Sequence, residues 1–337
     1  MNLVSTIGRS APARASARTD LDAASTVRAE LIARVLDALH FRGWFFCVSE
    51  LSAPWAIELP GGRLAAVHAV LDGQCVLSVA GGSAPLHLGA GDLVLLPRDD
   101  VHALADRPGR RAARIAEVAG IDRRDRAATT LRYGGGGAIA RLLSASFVAD
   151  TRAADTIVAA LPAAVPLRAG SRACRRVAPT LQLVRAEAAE PGAASSAVLR
   201  RAAEILFIQT LREVLLASRD TGGWLGAATD PRLAAPLAAM HAEPERRWTL
   251  AALAQRAHLS RTAFFDRFRA QLGQTPLDYL QGWRLHLAAQ RLRETDSSIT
   301  TIALDAGYSS PSAFARAFRR AIGHSPQDFR AAQRAKR

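Results

Sequence analysis

The strongest constraint in this sequence is a repeat within its C-terminal third. Residues 250–279 (LAALAQRAHLSRTAFFDRFRAQLGQTPLDY) and residues 299–329 (ITTIALDAGYSSPSAFARAFRRAIGHSPQDF) match once one residue is inserted at a central turn. The matching positions include two phenylalanines four residues apart, a glycine and a proline. They are Phe264, Phe268, Gly273 and Pro276 in the first copy, and Phe314, Phe318, Gly323 and Pro326 in the second. Two copies of one supersecondary unit are therefore predicted.

Each copy has the sequence pattern of a helix-turn-helix. A short helix, predicted over Leu250–Arg256 and again over Ile299–Asp305, is followed by a tight turn. Gly307 supplies the turn residue of the second copy, and His258 occupies the same position in the first, where histidine tolerates a positive φ at some cost. A serine caps the next helix and a glycine ends it. The phenylalanine stripe of that helix is predicted to face the core.

The opposite face of each second helix is the candidate DNA-binding surface, because a recognition helix presents one polar face to the major groove. The whole chain has 44 Lys+Arg against 30 Asp+Glu, and 17 and 8 of these fall within residues 231–337. The base composition of the coding DNA is an alternative origin of the arginine excess, and a single arginine also fits a solvated helix face. The predicted contact residues are Arg261, Thr262, Phe265, Asp266 and Arg269 in the first copy, and Ser312, Ala315, Arg316 and Arg319 in the second.

The stretch between the copies, Pro276–Glu294, is predicted to form one helix of 19 residues. At about 1.5 Å per residue this helix spans roughly 28 Å. That length is close to the ~34 Å between successive major grooves on one face of a duplex. Two recognition helices joined by it are therefore expected to reach adjacent turns of the same DNA.

The segments AHLSRTAFFDRFRAQLGQTPLDYL and ITTIALDAGYSSPSAFARAFRRAIGHSPQDFR resemble the tandem DNA-binding signature of the AraC/XylS family of bacterial transcription regulators. The resemblance covers about Asp230–Arg330 and implies a seven-helix domain that binds promoter DNA in the bacterial cytoplasm. Arg316 matches a position at which the family usually carries an arginine that contacts a base or the backbone. The equivalent residue in the first copy is Asp266, which either accepts from a cytosine amino group or pairs with Arg269; the pairing is the expectation.

The N-terminal half has a different pattern. Short apolar or alternating runs between residues 44 and 97, separated by Gly, Pro and Asp, predict an all-β sandwich or barrel, with ARIAEVAG as a further strand near residue 120. An amphipathic helix is predicted over Thr26–Leu39. The glycine run at 134–137 is predicted to end this domain. The helices expected beyond it, which provide either internal packing or a dimer surface, are Ala138–Ala149, Ala178–Ala189 and Ser195–Ser218.

The segment GDLVLLPRDDVH (Gly91–His102) resembles the second motif of the cupins, and ELSAPWAIELP and VHAVLDGQCVL resemble the cupin-type sensor domain of one AraC subgroup. A catalytic cupin carries two histidines one residue apart, whereas His68 is followed by Ala69 and Val70. The resemblance therefore implies a ligand-binding barrel, with no catalytic residue, metal or cofactor assigned. The residues predicted to line its pocket, for an unidentified small-molecule effector, are Trp44, Trp55, His68 and His102.

The sequence thus predicts an α+β multidomain chain with a cupin-like β-barrel, a helical linker and an all-α tandem helix-turn-helix domain. The predicted boundaries are residues 1–25 for a disordered tail, 26–130 for the sensor barrel, 131–228 for the linker or dimerisation region and 229–337 for the DNA-binding domain. The sequence contains no apolar run of about 18 residues, so no membrane span is predicted. The three cysteines form no C-x-x-C pair, which is typical of a protein of the reducing cytoplasm.

The predicted function is a sequence-specific transcription regulator that is not an enzyme. Its expected partners are double-stranded promoter DNA, the effector, a second copy of the chain in a homodimer, and RNA polymerase if it activates transcription. Two alternatives stay open at this point. One is a metal-dependent cupin enzyme fused to a DNA-binding module, with His68, His87 and His102 as candidate ligands. The other is an architectural DNA-binding protein that senses nothing.

Overall fold

The computed structural model describes residues 26–37, 41–61, 65–82, 84–98, 100–119, 128–149, 161–217 and 223–334. The chain divides into two compact units. The barrel unit is Leu39–Thr221, and the helical unit combines Gly222–Arg337 with the N-terminal stretch that contains helix α1 (residues 26–37). The tail predicted over residues 1–25 lies outside the described residues. Within the described ranges, no helix is long and apolar enough to cross a bilayer.

The barrel unit is built from two β-sheets that enclose one apolar core. Its strands are β1 (Phe41–Ser52), β2 (Ala56–Leu59), β3 (Ala65–Asp72), β4 (Gln74–Val79), β5 (Leu86–Gly89), β6 (Leu93–Leu96), β7 (His102–Ala105), β8 (Ala113–Arg114), β9 (Ala128–Gly134), β10 (Ile139–Ala149) and β11 (Val165–Leu167). The six-stranded sheet has the order β11-β6-β3-β10-β1-β9, and the five-stranded sheet has the order β5-β4-β7-β2-β8. The β-rich N-terminal domain predicted from the alternating runs is confirmed.

Alternation along the strands decides which side chains enter the barrel. Cys47 on β1 pairs with Ser144 on β10, and Ser144 pairs with His68 on β3. Directly paired residues share a face of the sheet, so these three side chains lie in one inward row. The core around this row is apolar and includes Leu51, Trp55, Leu77, Val94, Leu96 and Leu104.

Two predictions for residues 113–149 are wrong. ARIAEVAG forms only the two-residue strand β8 and then helix α2 (Ile115–Ala119). The stretch predicted as a helix, Ala138–Ala149, contains strand β10, which lies in the six-stranded sheet between β1 and β3. Its alanine and leucine content favours a helix locally, but pairing along both edges decides for a strand.

The glycine run at 134–137 does not end the barrel domain. It carries the chain across the end of β1, from β9 on one side to β10 on the other. A Cβ on Gly134 would lie 1.8 Å from the carbonyl oxygen of Ser52, and one on Gly137 would lie 2.6 Å from that of Ala53. Glycine is required there for close approach of two backbone segments. Residues 128–149 therefore belong to the barrel unit and not to a linker.

Two helices follow the strands within the barrel unit. Helix α3 (Arg172–Ala189) begins earlier than predicted, because the hydroxyl of Ser171 caps it by accepting from the amide of Cys174. Helix α4 (Ser195–Ala217) confirms the predicted helix and its buried face. The rings of Phe207 on α4 and Phe147 on β10 stack with centroids 4.2 Å apart, which fixes α4 to the six-stranded sheet.

The helical unit holds the repeat. Its helices after α1 are α5 (Gly223–Thr229), α6 (Ala234–Ala242), α7 (Leu250–Arg256), α8 (Arg261–Leu272), α9 (Pro276–Glu294), α10 (Ile299–Asp305), α11 (Pro311–Ile322) and α12 (Pro326–Arg334). Seven of them follow Asp230, as the resemblance implied. Helix α1 confirms the predicted N-terminal helix, with Leu31, Ile32 and Val35 buried, but it belongs to this unit and not to the barrel.

Candidate nucleic-acid interface and barrel interior

The first helix-turn-helix joins α7 to α8. His258 in its turn has φ 51°, within the left-handed region. The hydroxyl of Ser260 accepts from the amide of Ala263 at 3.2 Å and caps α8. Gly273 ends the helix at φ 71°. The turn, cap and stop residues predicted from the sequence are confirmed.

The second helix-turn-helix repeats this geometry between α10 and α11. Gly307 has φ 77°, Ser310 caps α11, Pro311 occupies its first turn, and Gly323 ends it at φ 90°. A Cβ on Gly307 would lie 2.9 Å from Cζ of Arg284 on α9. The second turn therefore favours glycine both for its backbone angle and for the approach of an arginine.

One face of each second helix is buried as predicted. Phe264 and Phe268 on α8, and Phe314 and Phe318 on α11, are fully buried. The ring centroids of the two pairs are 5.6 Å and 5.4 Å apart. Phe268 also meets the edge of Tyr279 on α9 at 5.7 Å. This aromatic stripe fixes which face of α8 and of α11 is left to solvent.

The faces opposite the stripe are called the recognition faces here. Phe265 and Ala315 are half-buried at their edges. The other predicted contact residues are exposed: Arg261, Thr262, Asp266 and Arg269 on α8, and Ser312, Arg316 and Arg319 on α11. Arg320, which sequence reasoning did not single out, is exposed beside Arg319.

The recognition faces carry arginines that the protein itself does not neutralise. On other faces of the helical unit several arginines are paired: Nε of Arg267 lies 2.7 Å from Oδ2 of Asp230, and Nη1 of Arg291 lies 2.5 Å from Oδ2 of Asp305. In contrast, no described residue forms a hydrogen bond or ion pair with the guanidinium groups of Arg261, Arg269, Arg316, Arg319 and Arg320. These five groups are therefore open to acceptors outside the protein, of which phosphate and guanine are the best matched in geometry.

The expected ion pair between Asp266 and Arg269 does not form. Among the described residues Asp266 has no ion-pair partner at all. Both side chains extend into water, where such a pair contributes about 1 kcal/mol at most. The neighbouring Arg267 does form a pair, with Nε donating to the half-buried carboxylate of Asp230. The interpretation of Asp266 as an internal partner is wrong.

A buried polar network that sequence reasoning missed joins α5, α6 and α9. The indole N–H of Trp224 donates to the hydroxyl oxygen of Tyr279 at 2.8 Å. That hydroxyl also forms a hydrogen bond of 2.7 Å with Nε2 of His241. The ring of His241 also packs against Trp283, with centroids 4.1 Å apart. The network fixes α9, the helix between the two copies, to the helices that precede the first copy.

Burial keeps this network neutral. It lowers the pKa of His241 to about 3, with smaller contributions from His286 and from Arg34 on α1. Burial also raises the pKa of Tyr279. The imidazole and the phenol are therefore both neutral at ordinary pH, and only strong acid charges the ring.

The predicted pocket histidines lie inside the barrel and contact each other. Nε2 of His68 lies 2.9 Å from Nε2 of His102. The carbonyl oxygen of Asp100 only accepts, so Nδ1 of His102 donates to it, at 2.7 Å. His102 therefore accepts at Nε2 from His68, and Nδ1 of His68 accepts from the hydroxyl of Ser144 at 2.8 Å. When both rings are neutral, this chain of hydrogen bonds gives all four ring nitrogens a partner.

The rest of the predicted pocket is filled or lies elsewhere. Trp55 belongs to the apolar core, and the side chain of Trp44 lies outside the described residues. A void of about 20 Å³ inside the barrel is lined by residues that include Cys47 and Ser144 but neither histidine. His87 is exposed on β5 and does not converge with the other two. Among the described residues no group of three His, Cys, Asp or Glu is arranged to hold a metal.

The two parts of the chain match two known protein families. Residues 30–216 match the cupin family model, and residues 253–332 match a helix-turn-helix domain model. A putative AraC-like transcription regulator of Streptomyces lividans is 34% identical over 297 residues, which are 88% of this chain and 96% of that protein. The HTH-type transcriptional regulator AlkR of Acinetobacter baylyi is 26% identical over 311 residues, 89% of this chain and 99% of that protein.

Two solved structures of AraC-type DNA-binding domains match about a third of the chain. An AraC-type DNA-binding domain protein from Chromobacterium violaceum is 30% identical, with a TM-score of 0.31, over 32% of this chain and 96% of that chain. The DNA-binding domain of AdpA, solved with a target DNA, is 38% identical, with a TM-score of 0.28, over 29% of this chain and 88% of that chain. The sequence matches, together with the tandem helix-turn-helix geometry, show that the chain belongs to the AraC family of DNA-binding transcription regulators, with a cupin domain ahead of its helix-turn-helix domain.

Proposed function

We propose that this protein regulates transcription by placing α8 and α11 in successive major grooves of one promoter duplex, under the control of a small molecule bound by the barrel unit. The observation that supports this most strongly is the set of unpaired guanidinium groups on the two recognition faces. Five arginines that have no partner among the described residues, on the exposed faces of two repeated helices, favour a polyanionic partner. The site of action is the bacterial cytoplasm, where promoter DNA is found.

The recognition faces suggest a division of roles along each helix. Residues near the start of a recognition helix approach base edges, and cations towards its end approach phosphates. Arg316 is assigned to a base, with its fork of donors directed at guanine. Arg319 and Arg320, in the last turns of α11, are assigned to phosphates.

Asp266 is assigned to a base as well. Its carboxylate has no internal partner among the described residues, and a carboxylate beside DNA phosphates is unfavourable unless it meets a donor. The amino group of cytosine in the major groove is such a donor. The two copies would then read different bases, with Asp266 in the first copy and Arg316 in the second.

The further partners are proposals of the same kind. A small-molecule effector is assigned to the barrel unit, for which Trp44, Trp55, His68 and His102 are the residues expected from the sequence. A homodimer through α3 and α4 is supported by apolar side chains that are exposed there: Leu183, Val198, Ile205 and Ile208. RNA polymerase is a partner if the protein activates transcription. No observation favours the metal-dependent enzyme, since the ring nitrogens of His68 and His102 already have partners.

A gel-shift titration tests the DNA proposal. The full-length protein is mixed, at physiological salt, with the DNA upstream of its own and neighbouring genes, and with a shuffled duplex of the same composition. We expect specific binding at least ~1,000-fold tighter than binding to the shuffled duplex. Equal affinity for both duplexes, with folded protein, would instead indicate an architectural DNA-binding protein.

A further inference from the structure

The void found between the sheets among the described residues is too small for an organic effector. Its void of about 20 Å³ holds roughly one water molecule. The surrounding space is filled by buried side chains from both sheets, among them Leu51, Trp55, Leu77 and Leu104. If the barrel unit binds a small molecule, this void does not hold it.

A much larger cleft lies on the other side of the six-stranded sheet. Its volume is about 430 Å³, within the range of small-molecule sites. On β1, Cys47 and Ser49 point into the barrel, so alternation turns Phe46 and Val48 outward to form the floor of this outer cleft. Its opposite wall comes from α3, α4 and the turn between them, with Ala188, Ala189, Pro191 and Leu199.

The mouth of the outer cleft has an excess of positive charge. Nη2 of Arg141 lies 3.0 Å from Oε2 of Glu50, and Nη1 of Arg141 lies 3.8 Å from Oδ2 of Asp72. Arg185 also pairs with Asp72. Arg132 approaches Glu50 only to 3.8 Å, and its side chain is 81% exposed. Three guanidinium groups thus face two carboxylates, and Arg132 is the one least engaged.

We propose that the outer cleft is the effector site and that its ligand is a small amphipathic monoanion, a carboxylate attached to an apolar body. The apolar body packs against Phe46, Val48 and Leu199, and the carboxylate pairs with Arg132 at the mouth. One surplus positive charge beside an apolar floor selects against neutral and cationic molecules of the same shape. This inference rests on the proposed function only in calling the ligand an effector.

Helix α4 connects the outer cleft to the rest of the chain. Its first turns line the cleft with Ser195, Ser196 and Leu199, and it continues to Ala217, shortly before the helical unit begins. A ligand that binds more tightly when α4 occupies one position than when it occupies another shifts the equilibrium between the two positions. An anion in the outer cleft is therefore expected to change DNA affinity.

Calorimetric titration of the full-length protein with two probes tests the site. The probes are 2-naphthoate, which is rigid, and decanoate, which is flexible; 2-naphthamide is the neutral match of the first. We expect at least one of the two anions to bind. If 2-naphthoate binds, its affinity is expected to be at least about threefold higher than that of 2-naphthamide.

Two pairs of variants locate the binding. R132A is expected to weaken anion binding at least about threefold, whereas R200A, which removes an exposed arginine of α4 outside the cleft, leaves it unchanged. A189W fills the cleft and is expected to abolish binding, whereas A186W, on an exposed position of the same helix outside the lining, does not. Should A189W fail to fold, the arginine pair decides.

The outcomes separate the two proposals. Binding of neither anion to folded wild-type protein, or binding that R132A and R200A affect equally, overturns the outer cleft as the site. Gel-shift titration of wild-type protein without any probe tests DNA binding independently. Anion binding by a protein that shows no specific shift would overturn the regulatory proposal while keeping the site.

Discussion

The two helix-turn-helix copies share their buried half and differ in their exposed half. Both bury two phenylalanines four residues apart, and both end their recognition helix at a glycine with positive φ. The exposed halves diverge: position 266 is an aspartate where position 316 is an arginine, and the first turn uses His258 where the second uses Gly307. The shared half specifies the fold, whereas the differing half can specify two different DNA half-sites.

The copies also differ in what holds them to α9. The first copy contacts α9 through Phe268 and Tyr279, and α9 is held to α5 and α6 by the neutral network of Tyr279, Trp224 and His241. The second is held by Gln281 of α9, whose amide donates to the hydroxyl of Tyr308, and by Leu285 and Leu292 of α9, which share one core cluster with Phe314 and Phe318. The network contains His241, whose pKa in the folded protein lies far below its ordinary value, so acid is expected to weaken it.

The largest effect is expected from the shared half. F268A and F318A each remove a fully buried ring and are expected to lower the free energy of unfolding by about 3–5 kcal/mol. Urea unfolding monitored by circular dichroism measures this loss. R320A, on the exposed side of α11, is the control and is expected to change stability by less than ~0.5 kcal/mol. Unchanged unfolding of F318A would mean that the facing of α11 is misassigned.

Acid is expected to weaken the attachment of α9 to α5 and α6. In the unfolded chain His241 takes up a proton near pH 6.5, but in the folded protein its pKa is about 3. The unfolded state therefore binds more protons between these values, and stability falls as the pH decreases. Between pH 7 and pH 5 this histidine is expected to account for about 2 kcal/mol of lost stability.

Urea unfolding at the two pH values measures this effect, and H241Q provides the comparison. Glutamine keeps a hydrogen-bonding side chain near Tyr279 but does not titrate, so H241Q is expected to lose less stability on acidification than the wild type. An identical pH dependence of both proteins would contradict the buried, neutral state of His241.

The differing half is expected to affect DNA binding rather than stability. R316A should cost about 1–3 kcal/mol of binding free energy on the cognate duplex and relax specificity at one base pair. R247A, at an exposed arginine outside both recognition helices, is the matched control. Gel-shift titration on cognate and random duplexes measures both. Equal losses on the two duplexes would mean that Arg316 contacts phosphate only.

The smallest effect is expected at the first turn. His258 holds φ 51°, which is strained for a residue with a Cβ. H258G makes this turn like that of the second copy and is expected to raise stability by less than about 1 kcal/mol. Thermal unfolding compares it with the wild type, and a clear loss of stability would show that the imidazole makes a contact worth more than the backbone strain.

Local signals predicted the helical unit well because its elements are bounded by residues with one physical role. Ser260, Ser310, Gly273 and Gly323 cap or stop helices by chemistry that depends only on the neighbouring backbone. The bounds of α9 follow in the same way from Thr275, whose hydroxyl caps it. Such residues act within a few positions of themselves, so the sequence is sufficient to place them.

The barrel unit was less predictable because its elements depend on distant partners. Strand β10 has a helix-like composition and becomes a strand by pairing with β1 and β3. The glycines at 134–137 suggest a boundary until the end of β1 is seen beneath them. The outer cleft joins Arg132 and Arg141 on strands to Arg185 on a helix, and the network at His241 joins three helices. No spacing within the sequence brings those residues together.

A hydroxyl-radical footprint of the full-length protein on its selected binding site tests the central claim most directly. Two recognition helices in successive major grooves are expected to protect two patches about 10 base pairs apart on one face of the duplex. R316A is expected to weaken the patch read by α11 while keeping the other. A single protected groove, or two patches on opposite faces of the duplex, would contradict the account.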